Sequence, residues 1–361
     1  MKNIIDYTKE ETRTFKTFPF NDIDSLVLST LTYIDFSNLI PSLYDNSRSV
    51  TLKSISISIL QDKLNLMADK KLYIKLLNNV ISNPRYNSLR LNNYVDITDY
   101  KEVSHFCAMT FTYDTFTYIG FMGTSASLID WKEDFNMAYM CPVPAQRKAL
   151  KYLNKIMQKV PGYVYIGGHS KGGNLAIYSS IHTPIWNKWR IKKIYTHDGP
   201  GFTKKVFNSF KYKIIKSKIS KTVPSSSIVG MLMFSRESYK VIKSNTIGIL
   251  QHSSFTWQIK NSEFVYLKSR AWDSAYFDKT ISDWLNSVTD EEKSLFVNTM
   301  YDILNQVDYS KIDVTKNNWW NLYKTIKIGK SKLDPETRKK IDEIFKKLTY
   351  YEKINLLNIN N

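Results

Sequence analysis

Residues 168–172 read GHSKG and contain the side chain with the clearest potential for covalent chemistry, Ser170. They match the pattern G-x-S-x-G, in which a serine on a sharp turn between a strand and a helix exposes its hydroxyl as a nucleophile. The chain has only 12 glycines in 361 residues, yet four of them lie within residues 167–173. Because glycine tolerates positive φ and the close approach of other atoms, this density predicts a tight turn rather than a flexible linker.

The flanks of this turn match the strand and the helix that such a nucleophile requires. Residues 162–167 (GYVYIG) are aromatic and β-branched and are bounded by glycine, which is typical of a buried strand. Residues 174–181 (NLAIYSSI) place Leu175 and Tyr178 on one helical face, and Pro184 follows as a helix stop. The sequence therefore predicts Ser170 as a nucleophile, with an ordinary glycine-rich turn as the alternative.

A serine nucleophile needs a histidine base and an acid that orients this base. The chain has five histidines, namely His105, His169, His182, His197 and His252. In α/β-hydrolases the order along the chain is nucleophile, acid, histidine, which excludes His105. His169 lies on the turn itself, and His182 follows the turn too closely. Of the two that remain, His252 lies in a loop-like segment and is the predicted base, with a surface-loop histidine as the alternative.

The predicted acid is Asp198, in the segment YTHDGPGF at residues 195–202. This segment ends the strand that follows the helix after Ser170. Ligands and catalytic groups gather at the carboxyl ends of parallel strands, which favours Asp198 as the partner of His252. The alternative is that Asp198 caps the turn at residues 199–201 through its own backbone, a common use of aspartate.

Composition and length predict a soluble globular protein. A chain of 361 residues with 43% hydrophobic residues can fill one large α/β core with additional helices. No run of about 18 uncharged apolar residues exists, and the N-terminus lacks the apolar segment of a signal peptide, so we expect a cytoplasmic location. The two cysteines, Cys107 and Cys141, lack the spacing of metal ligands, and the sequence predicts no metal site and no cofactor.

The net charge of +18 comes mostly from lysines that are spread along the chain. A basic surface attracts anionic lipid, so weak contact with an anionic membrane surface is one expectation. The aromatic residues fall in apolar runs and no nucleic-acid-binding motif is present, so nucleic acid is not an expected partner. The expected partner is a small-molecule or lipid ester.

The pattern of residue types divides the chain into three regions. Residues 1–100 are predicted to form a helical region packed on the core, with helices at 22–31 and 69–81. Residues 101–275 alternate strands and helices and predict an α/β core with a mostly parallel sheet. Strands are expected at residues 106–112, 117–121, 163–167, 191–196 and 239–244. Residues 276–361 are predicted to form a helical extension, with helix starts at Thr289 and at Asp334-Pro335.

Several segments together resemble a known family. FMGT at residues 121–124, Trp131, Asp134 and GHSKGGNLA at residues 168–176 are similar to motifs of class 3 (fungal-type) lipases. More closely, the run LIDWKEDFNMAYMCPVPAQRKALKYL and the segments HDGPGF, SSIVGMLM and QHSSFTWQ resemble the Mbeg-like bacterial family of α/β-hydrolase-fold proteins. The resemblance covers about residues 15–285. It implies an α/β-hydrolase, lipase-like fold with Ser170 as the nucleophile.

The resemblance also implies an oxyanion hole formed by the backbone N–H groups of Thr124 and Lys171. Two positions depart from the class 3 lipases: Met122 replaces the usual arginine, and Ser227 occupies the place of the triad aspartate. Either Asp198 has taken over that role, or the site works as a serine-histidine dyad, or it has lost activity. The sequence thus predicts a serine hydrolase of carboxylic esters, with acyl lipids as one candidate substrate class and a catalytically inactive binding protein as the alternative.

A last segment bears on access to Ser170. Class 3 lipases carry a lid after the oxyanion loop, and residues 130–146 follow that loop here. Trp131, Phe135 and Ala138 fall at helical spacing, however, so the segment is expected to form a buried helix under the sheet.

Overall fold

The structure is a computed structural model that describes residues 1–305, except residues 46, 66, 68, 126, 235 and 236, together with residue 330 and residues 333–359. The strands are β1 (Val50–Thr51), β2 (Arg90–Asp99), β3 (Ser104–Tyr113), β4 (Phe116–Phe121), β5 (Val164–His169), β6 (Ile191–His197), β7 (Ile219–Pro224), β8 (Tyr239–Ile242), β9 (Ile259–Lys260), β10 (Glu263–Phe264) and β11 (Tyr266–Leu267). Within the described residues, nine of them form one sheet in the order β1-β2-β3-β4-β5-β6-β7-β8-β11.

The centre of this sheet is parallel and its two margins are antiparallel. Strands β4 to β8 run parallel to one another. Strands β1, β2 and β3 join one margin in antiparallel pairs, and β11 joins the other margin in the same way. The α/β-hydrolase class predicted from the sequence is therefore confirmed. The sheet is mixed rather than mostly parallel, because short turns between β2, β3 and β4 can join only antiparallel strands.

The helices are α1 (Ile4–Glu10), α2 (Asp22–Leu31), α3 (Ile57–Asn65), α4 (Lys70–Ser82), α5 (Leu128–Asn136), α6 (Pro144–Lys159), α7 (Lys171–His182), α8 (Ile185–Arg190), α9 (Lys204–Phe207), α10 (Phe210–Ile215), α11 (Trp272–Ser287), α12 (Asp290–Asn305) and α13 (Pro335–Ile359). None of the helices in the described part of the chain combines the length and the apolarity needed to cross a bilayer.

Helices cover both faces of the parallel strands. On β6, the adjacent residues Thr196 and His197 point to opposite faces, as successive strand residues must. His197 Nε2 lies 2.9 Å from the hydroxyl of Ser25 on α2, whereas Thr196 abuts Gly173 on α7. Helix α6 packs beside α7. Helices therefore cover both faces of β5 and β6. Ser170 directly follows the carboxyl end of β5, and Asp198 directly follows the carboxyl end of β6.

A buried ion pair ties the N-terminal segments together. Asp24 and Arg85 are both fully buried, and the guanidinium binds both carboxylate oxygens through Nε at 2.7 Å and Nη2 at 2.5 Å. Arg85 also donates to the carbonyls of Arg13 and Phe18. The hydroxyl of Tyr86 donates to Asp24 at 2.7 Å. One carboxylate thus fixes α2, the segment after α1 and the turn after α4.

The chain divides into two compact units, and the first consists of residues 1–124 and 144–274. The second unit consists of residues 125–143 and 275–361. In its described part, α5 and α13 each contact α12. Its apolar core contains Val288, Ile341 and Ile344, with Trp284 packed against them. An ion pair of 2.7 Å joins Lys347 to Glu292, linking α13 to α12.

Most of the expected helices and strands are present. The helices at residues 22–31 and 69–81 correspond to α2 and α4, and the five expected strands correspond to β3, β4, β5, β6 and β8. At the helix start, Thr289 and Glu292 form the reciprocal hydrogen bonds of a capping box, at 2.8 and 3.2 Å. The N–H of Thr337 donates to the carboxylate of Asp334 at 2.9 Å, at the start of α13.

Other features differ from the expectations. Residues 1–100 were expected to be helical, but β1 and β2 lie within them. Strand β2 is polar, and its pairing shifts between Asn92 and Val95, so alternation along it is broken. The segment at residues 130–146 contains the expected helix, α5, but the prediction of burial is wrong at Phe135, whose exposed fraction is 50%.

Candidate active site

Ser170 lies on a strained turn between β5 and α7. Its backbone has φ 56° and ψ −133°, a region that residues other than glycine rarely adopt, at a cost of about 1 to 3 kcal/mol. The N–H of Ser170 donates to the carbonyl of His197 at 2.9 Å, so the turn is fixed to the end of β6. This is the local geometry expected of a nucleophile in a G-x-S-x-G pattern.

The glycines of the turn are required by close backbone contacts. A Cβ on Gly168 would lie 2.2 Å from the backbone of Gly172, and a Cβ on Gly172 would lie 2.2 Å from the carbonyl oxygen of Phe121. Both separations are far below van der Waals contact. Any side chain at either position would push β5, α7 or the end of β4 apart and displace Ser170.

Asp198 and His252, far apart in the sequence, meet through a short hydrogen bond. Asp198 immediately follows β6 with φ 51°, in the left-handed region that residues other than glycine rarely adopt. His252 ends a single-turn 3-10 helix at residues 248–252. Its Nδ1 lies 2.6 Å from Oδ2 of Asp198. The carboxylate is fully buried, whereas the His252 side chain is 26% exposed, so the imidazole stands between a buried charge and the surface.

Two further donors hold the other oxygen of Asp198. The hydroxyl of Ser227 donates to Oδ1 at 2.5 Å, and the N–H of Gly230 donates to it at 3.1 Å. Burial alone would raise the pKa of the carboxyl, but the hydrogen bond and charge of His252, with the hydroxyl of Ser227, more than offset it. The pKa of Asp198 is therefore lowered, and the group is ionised at neutral pH.

The segment expected to form an oxyanion hole lies directly against Ser170. A Cβ on Gly123 would lie 2.5 Å from the carbonyl oxygen of His169 and 3.1 Å from Cβ of Ser170. Thr124 follows Gly123, and Lys171 is the first residue of α7. Met122 is buried, and its N–H donates to the carbonyl of Cys107 at 3.0 Å, which anchors this segment to β3 without an arginine.

His169, which the sequence discounted because it lies on the turn, contacts His252 directly. Its Nε2 lies 2.7 Å from the carbonyl oxygen of His252, and the two ring centroids are 4.6 Å apart. Its Nδ1 lies 3.1 Å from the hydroxyl of Tyr33. Burial, with the neighbouring His252, lowers the pKa of His169 to about 3, so the ring is neutral and Nε2–H is the donor to the carbonyl. His169 thus fixes the backbone of His252.

The remaining histidines lie in other surroundings. His197 is buried between Thr222, at 2.8 Å from Nδ1, and Ser25, and burial lowers its pKa to about 4. His182 packs against Tyr178 at the end of α7, with the ring centroids 4.3 Å apart. His105 hydrogen-bonds Asp96 on β2 at 2.9 Å. Of the five histidines, His169 and His252 contact each other beside the turn of Ser170, and of these two His252 bonds to a carboxylate.

One contact of a complete triad is missing. Between the described residues Ser170 and His252, no hydrogen bond joins the serine hydroxyl to the imidazole. Catalytic hydrogen bonds often shorten only when substrate is bound, so the absence of this bond is compatible with a serine-histidine-aspartate triad. No cluster of side chains within the described ranges is suited to hold a metal ion.

Sequence signals existed for part of this arrangement. The pattern GHSKG indicated Ser170, and elimination among five histidines left His252 and His197. Ser227 was noted only as a departure from the class 3 lipase pattern, whereas the structure gives it a hydrogen bond to Asp198. No signal indicated Tyr33, because its contact with His169 joins residues 136 positions apart.

Comparison with solved structures identifies several lipases of low similarity. M37 lipase is 16% identical, with 46% of this chain and 65% of that chain covered and a TM-score of 0.33. Rhizomucor miehei lipase in its propeptide complex is 17% identical, with 52% and 65% covered and a TM-score of 0.33. Lip2 lipase from Yarrowia lipolytica is 13% identical, with 45% and 69% covered and a TM-score of 0.32. This chain thus spans just under two thirds of the length of the first two lipases.

Among curated proteins no sequence matches this chain. A protein-family model does match, over residues 80–302, which is more than half of the 361 residues. The matched range includes Ser170, Asp198 and His252. The chain belongs to the Mbeg1-like family.

Proposed function

We propose that this protein is a serine hydrolase of carboxylic esters that works through an acyl-enzyme. The observation that carries the proposal is the hydrogen bond of 2.6 Å between Asp198 Oδ2 and His252 Nδ1. A buried carboxylate that holds Nδ1–H leaves Nε2 as the basic nitrogen of the imidazole. The strained backbone of Ser170 supports the same function. The N–H of Ser170 donates to the carbonyl of His197, which ends β6 and directly precedes Asp198.

The reaction follows from these roles. Ser170 Oγ attacks the ester carbonyl carbon while His252 Nε2 takes its proton, and Asp198 stabilises the imidazolium that forms. The backbone N–H groups of Thr124 and Lys171 donate to the oxyanion of the tetrahedral intermediate. His252 then returns the proton to the leaving alcohol, and the acyl group stays on Ser170. His252 deprotonates a water molecule, which attacks the acyl carbonyl carbon; when the intermediate collapses, His252 returns the proton to Ser170 Oγ and the carboxylic acid is released.

The proposed substrate class is carboxylic esters, with acyl lipids as one candidate group, and the proposed location is the cytoplasm. Exposed apolar side chains border His252: Ile247 is 83% exposed, and Ile249 and Leu250 are each 53% exposed. An acyl chain bound near the nucleophile would cover such side chains and exclude water from them. This border supports an ester with an apolar acyl group over a small polar one.

A hydrolase-fold binding protein without turnover is the second candidate. The missing hydrogen bond between Ser170 and His252 favours it, as does Met122 at the position of the usual arginine. The serine at position 227 does not favour an inactive protein, because its hydroxyl donates a hydrogen bond to the carboxylate of Asp198. The two candidates differ in one property, which is the reactivity of Ser170.

A fluorophosphonate probe measures that reactivity, because it phosphonylates only serines activated by a base. We expect the intact protein to be labelled and Ser170→Ala to lose all labelling. Ser253→Ala is the matched control, since Ser253 follows His252 directly and has no role in the proposed reaction; it should label at the rate of the unmodified chain. An intact protein that resists labelling and hydrolyses no p-nitrophenyl ester would exclude the hydrolase and leave the binding protein.

A further inference from the structure

The excess positive charge of the chain is concentrated in one stretch. Residues 135–236 contain 18 lysines and arginines and a single acidic residue, Asp198. This stretch therefore carries 17 of the 18 excess charges, although lysines occur along the whole chain. Asp198 is buried and bound to His252, so it does not neutralise the surface. A local positive field is expected over this part of the molecule.

Within this stretch, α8 and its surroundings expose large apolar and aromatic side chains. Trp186 is 64% exposed and Trp189 is 70% exposed, and both lie on α8, which has only six residues. Ile185 on the same helix is 39% exposed, and Tyr163, just before β5, is 58% exposed. Four such side chains are costly to leave in water, so they suggest a surface that is covered in use. We call these four residues the α8 patch.

Cations surround the α8 patch. The ammonium of Lys192 lies 5.4 Å from the centre of the Tyr163 ring. Lys218 donates to the carbonyls of Lys188 and Ile191, at the end of α8 and the start of β6. Its pKa is lowered by burial and by the charge of Lys192. Among the described residues no carboxylate forms an ion pair with these lysines, so their charge is available to an anionic partner.

The α8 patch and Ser170 lie at opposite edges of the sheet. Tyr163 precedes β5 and α8 leads into β6, so the patch is at the amino ends of these parallel strands. Ser170 and Asp198 follow the carboxyl ends of the same two strands. A strand of six residues is about 20 Å long at roughly 3.3 Å per residue, which separates the patch from the candidate active site.

We propose that the α8 patch binds the surface of an anionic lipid bilayer, with the candidate active site facing away from it. Tryptophan and tyrosine favour the boundary between lipid and water, where their rings enter the headgroup region. Lysines beside them gain from the negative surface potential of anionic lipids. The patch offers both features together, and its charge complements an anionic surface.

The apolar border of His252 is the competing surface, and it lacks the charge. Residues 244–259 contain no lysine, arginine, aspartate or glutamate, so the exposed Ile247, Ile249 and Leu250 have no cation beside them in this segment. An anionic bilayer would gain only apolar burial there. The charge distribution therefore favours the α8 patch as the membrane contact.

Flotation with vesicles tests the proposal without reference to enzyme activity. The full chain is mixed with vesicles of equal parts phosphatidylglycerol and phosphatidylcholine, or of phosphatidylcholine alone. We expect binding to the anionic vesicles only, and weaker binding as salt shortens the range of the lysine charges. Trp186→Ser with Trp189→Ser should lower the partition coefficient by about tenfold or more, since burying one large apolar side chain accounts for a tenfold change. Lys211 also lies close to α8, because burial and then the charge of Lys211 lower the pKa of Lys188 on that helix. Lys192→Gln with Lys211→Gln should lower the partition coefficient by about tenfold or more as well.

The matched control is Ile247→Ser with Ile249→Ser, which removes equally exposed apolar side chains at the other edge. This control variant should bind vesicles as well as the unmodified chain does. The Trp186→Ser, Trp189→Ser variant should hydrolyse a soluble ester, or react with the fluorophosphonate, at the rate of the unmodified chain. The proposal is overturned if the intact protein does not float with anionic vesicles, or if the control variant loses binding while the tryptophan variant keeps it. Binding to single-stranded RNA with no binding to vesicles would overturn it also.

Discussion

Asp24 and Asp198 are both completely buried, and each accepts several hydrogen bonds, but their partners differ in kind. Asp24 is held by the guanidinium of Arg85, which is also fully buried and cannot lose its charge under ordinary conditions. Asp198 is held by His252, whose side chain is 26% exposed and whose proton can be exchanged. Asp24 is therefore surrounded by partners that keep their protons. Asp198 instead bonds to one nitrogen of an imidazole, and the other nitrogen of that ring makes no bond to Asp198.

The surroundings of Arg85 show why the first pair is structural. Burial alone would lower the pKa of Arg85, but the hydrogen bonds and charge of Asp24 raise it. The remaining N–H groups of Arg85 donate to the carbonyls of Arg13, Phe18 and Pro19. No proton needs to move in this cluster for it to hold three segments of the chain together.

Burial and hydrogen bonding are common to both aspartates, so these two properties alone do not distinguish the proposed triad acid from a structural carboxylate. What distinguishes Asp198 is that its charge bears on a titratable ring, and that this ring lies beside a strained serine turn. A change at Asp198 should therefore affect rate far more than stability, and a change at Asp24 should do the reverse.

The largest expected effect is on rate, in Asp198→Asn. An amide at this position can hold the wrong imidazole tautomer, so we expect kcat for a soluble p-nitrophenyl ester to fall by about 10³ to 10⁴. That loss corresponds to about 4 to 5.5 kcal/mol of the activation barrier. The fold should persist, because the amide can still accept from Ser227 and Gly230. A variant that keeps more than about a tenth of the original kcat would show that Asp198 does not orient the base.

The next largest effect is on stability, in Asp24→Asn. Removing the carboxylate charge leaves the Arg85 guanidinium buried without a counter-ion, at a cost of about 3 to 5 kcal/mol in the free energy of unfolding. Urea denaturation measures this loss. The kcat per folded molecule should stay within about twofold, since Asp24 contacts none of the proposed catalytic groups. Equal losses of rate and stability in this variant would remove the distinction between the two aspartates.

Buried histidines predict how stability depends on pH. The pKa of His197 is lowered to about 4, so the folded protein keeps this ring neutral while the unfolded chain takes up a proton below about pH 6.5. Stability should therefore be complete above pH 6.5 and should fall as pH decreases toward 4. His197→Gln removes this contribution. Between pH 6.5 and pH 4, the free energy of unfolding of the variant should therefore decrease by about 2 to 3 kcal/mol less than that of the unmodified protein. Parallel curves for the two proteins would show that His197 is not buried in its neutral form.

Ser227→Ala should have the smallest effect. The hydroxyl donates one hydrogen bond to a carboxylate that keeps its bonds to His252 and Gly230. The loss of one hydrogen bond to a charged group costs about 1.5 to 3 kcal/mol, of which we expect less than about 1.4 kcal/mol, or tenfold, to appear in kcat. A hundredfold loss would mean that Ser227 acts in catalysis beyond its support of Asp198.

The sequence predicted the buried strands better than the polar ones. β3, β4 and β5 each contain an apolar and aromatic run, which is the pattern of strands that are covered on both faces, and β6 (IKKIYTH) has two lysines followed by a mostly apolar second half. β7 reads ISKTVP and was not predicted, because its polar residues suggest a surface segment. In the structure, Lys221 and Thr222 of β7 are buried, since β6 and β8 flank the strand on both sides. That burial depends on strand order, which the local pattern does not contain.

In the candidate site, too, the local features could be predicted from the sequence and the long-range contacts could not. Ser170 could be predicted because its turn is local and its glycines are required within a few residues. His252 followed from elimination, and Asp198 from its position at the end of a strand. The hydrogen bonds of Ser227 and of His169 to this pair could not be predicted, because they join segments 29 and 83 residues apart that only the folded sheet brings together.

The most direct test of the account compares Asp198→Asn with Asp24→Asn in one experiment. Both variants and the intact protein are reacted with the fluorophosphonate without denaturant, and the labelling rate of Ser170 is expressed per folded molecule. The account predicts that Asp198→Asn labels more than about a hundredfold slower, part of the loss expected in kcat, and that Asp24→Asn labels at nearly the unmodified rate. Equal labelling rates in the two variants would contradict the assignment of Asp198 as the residue that orients His252.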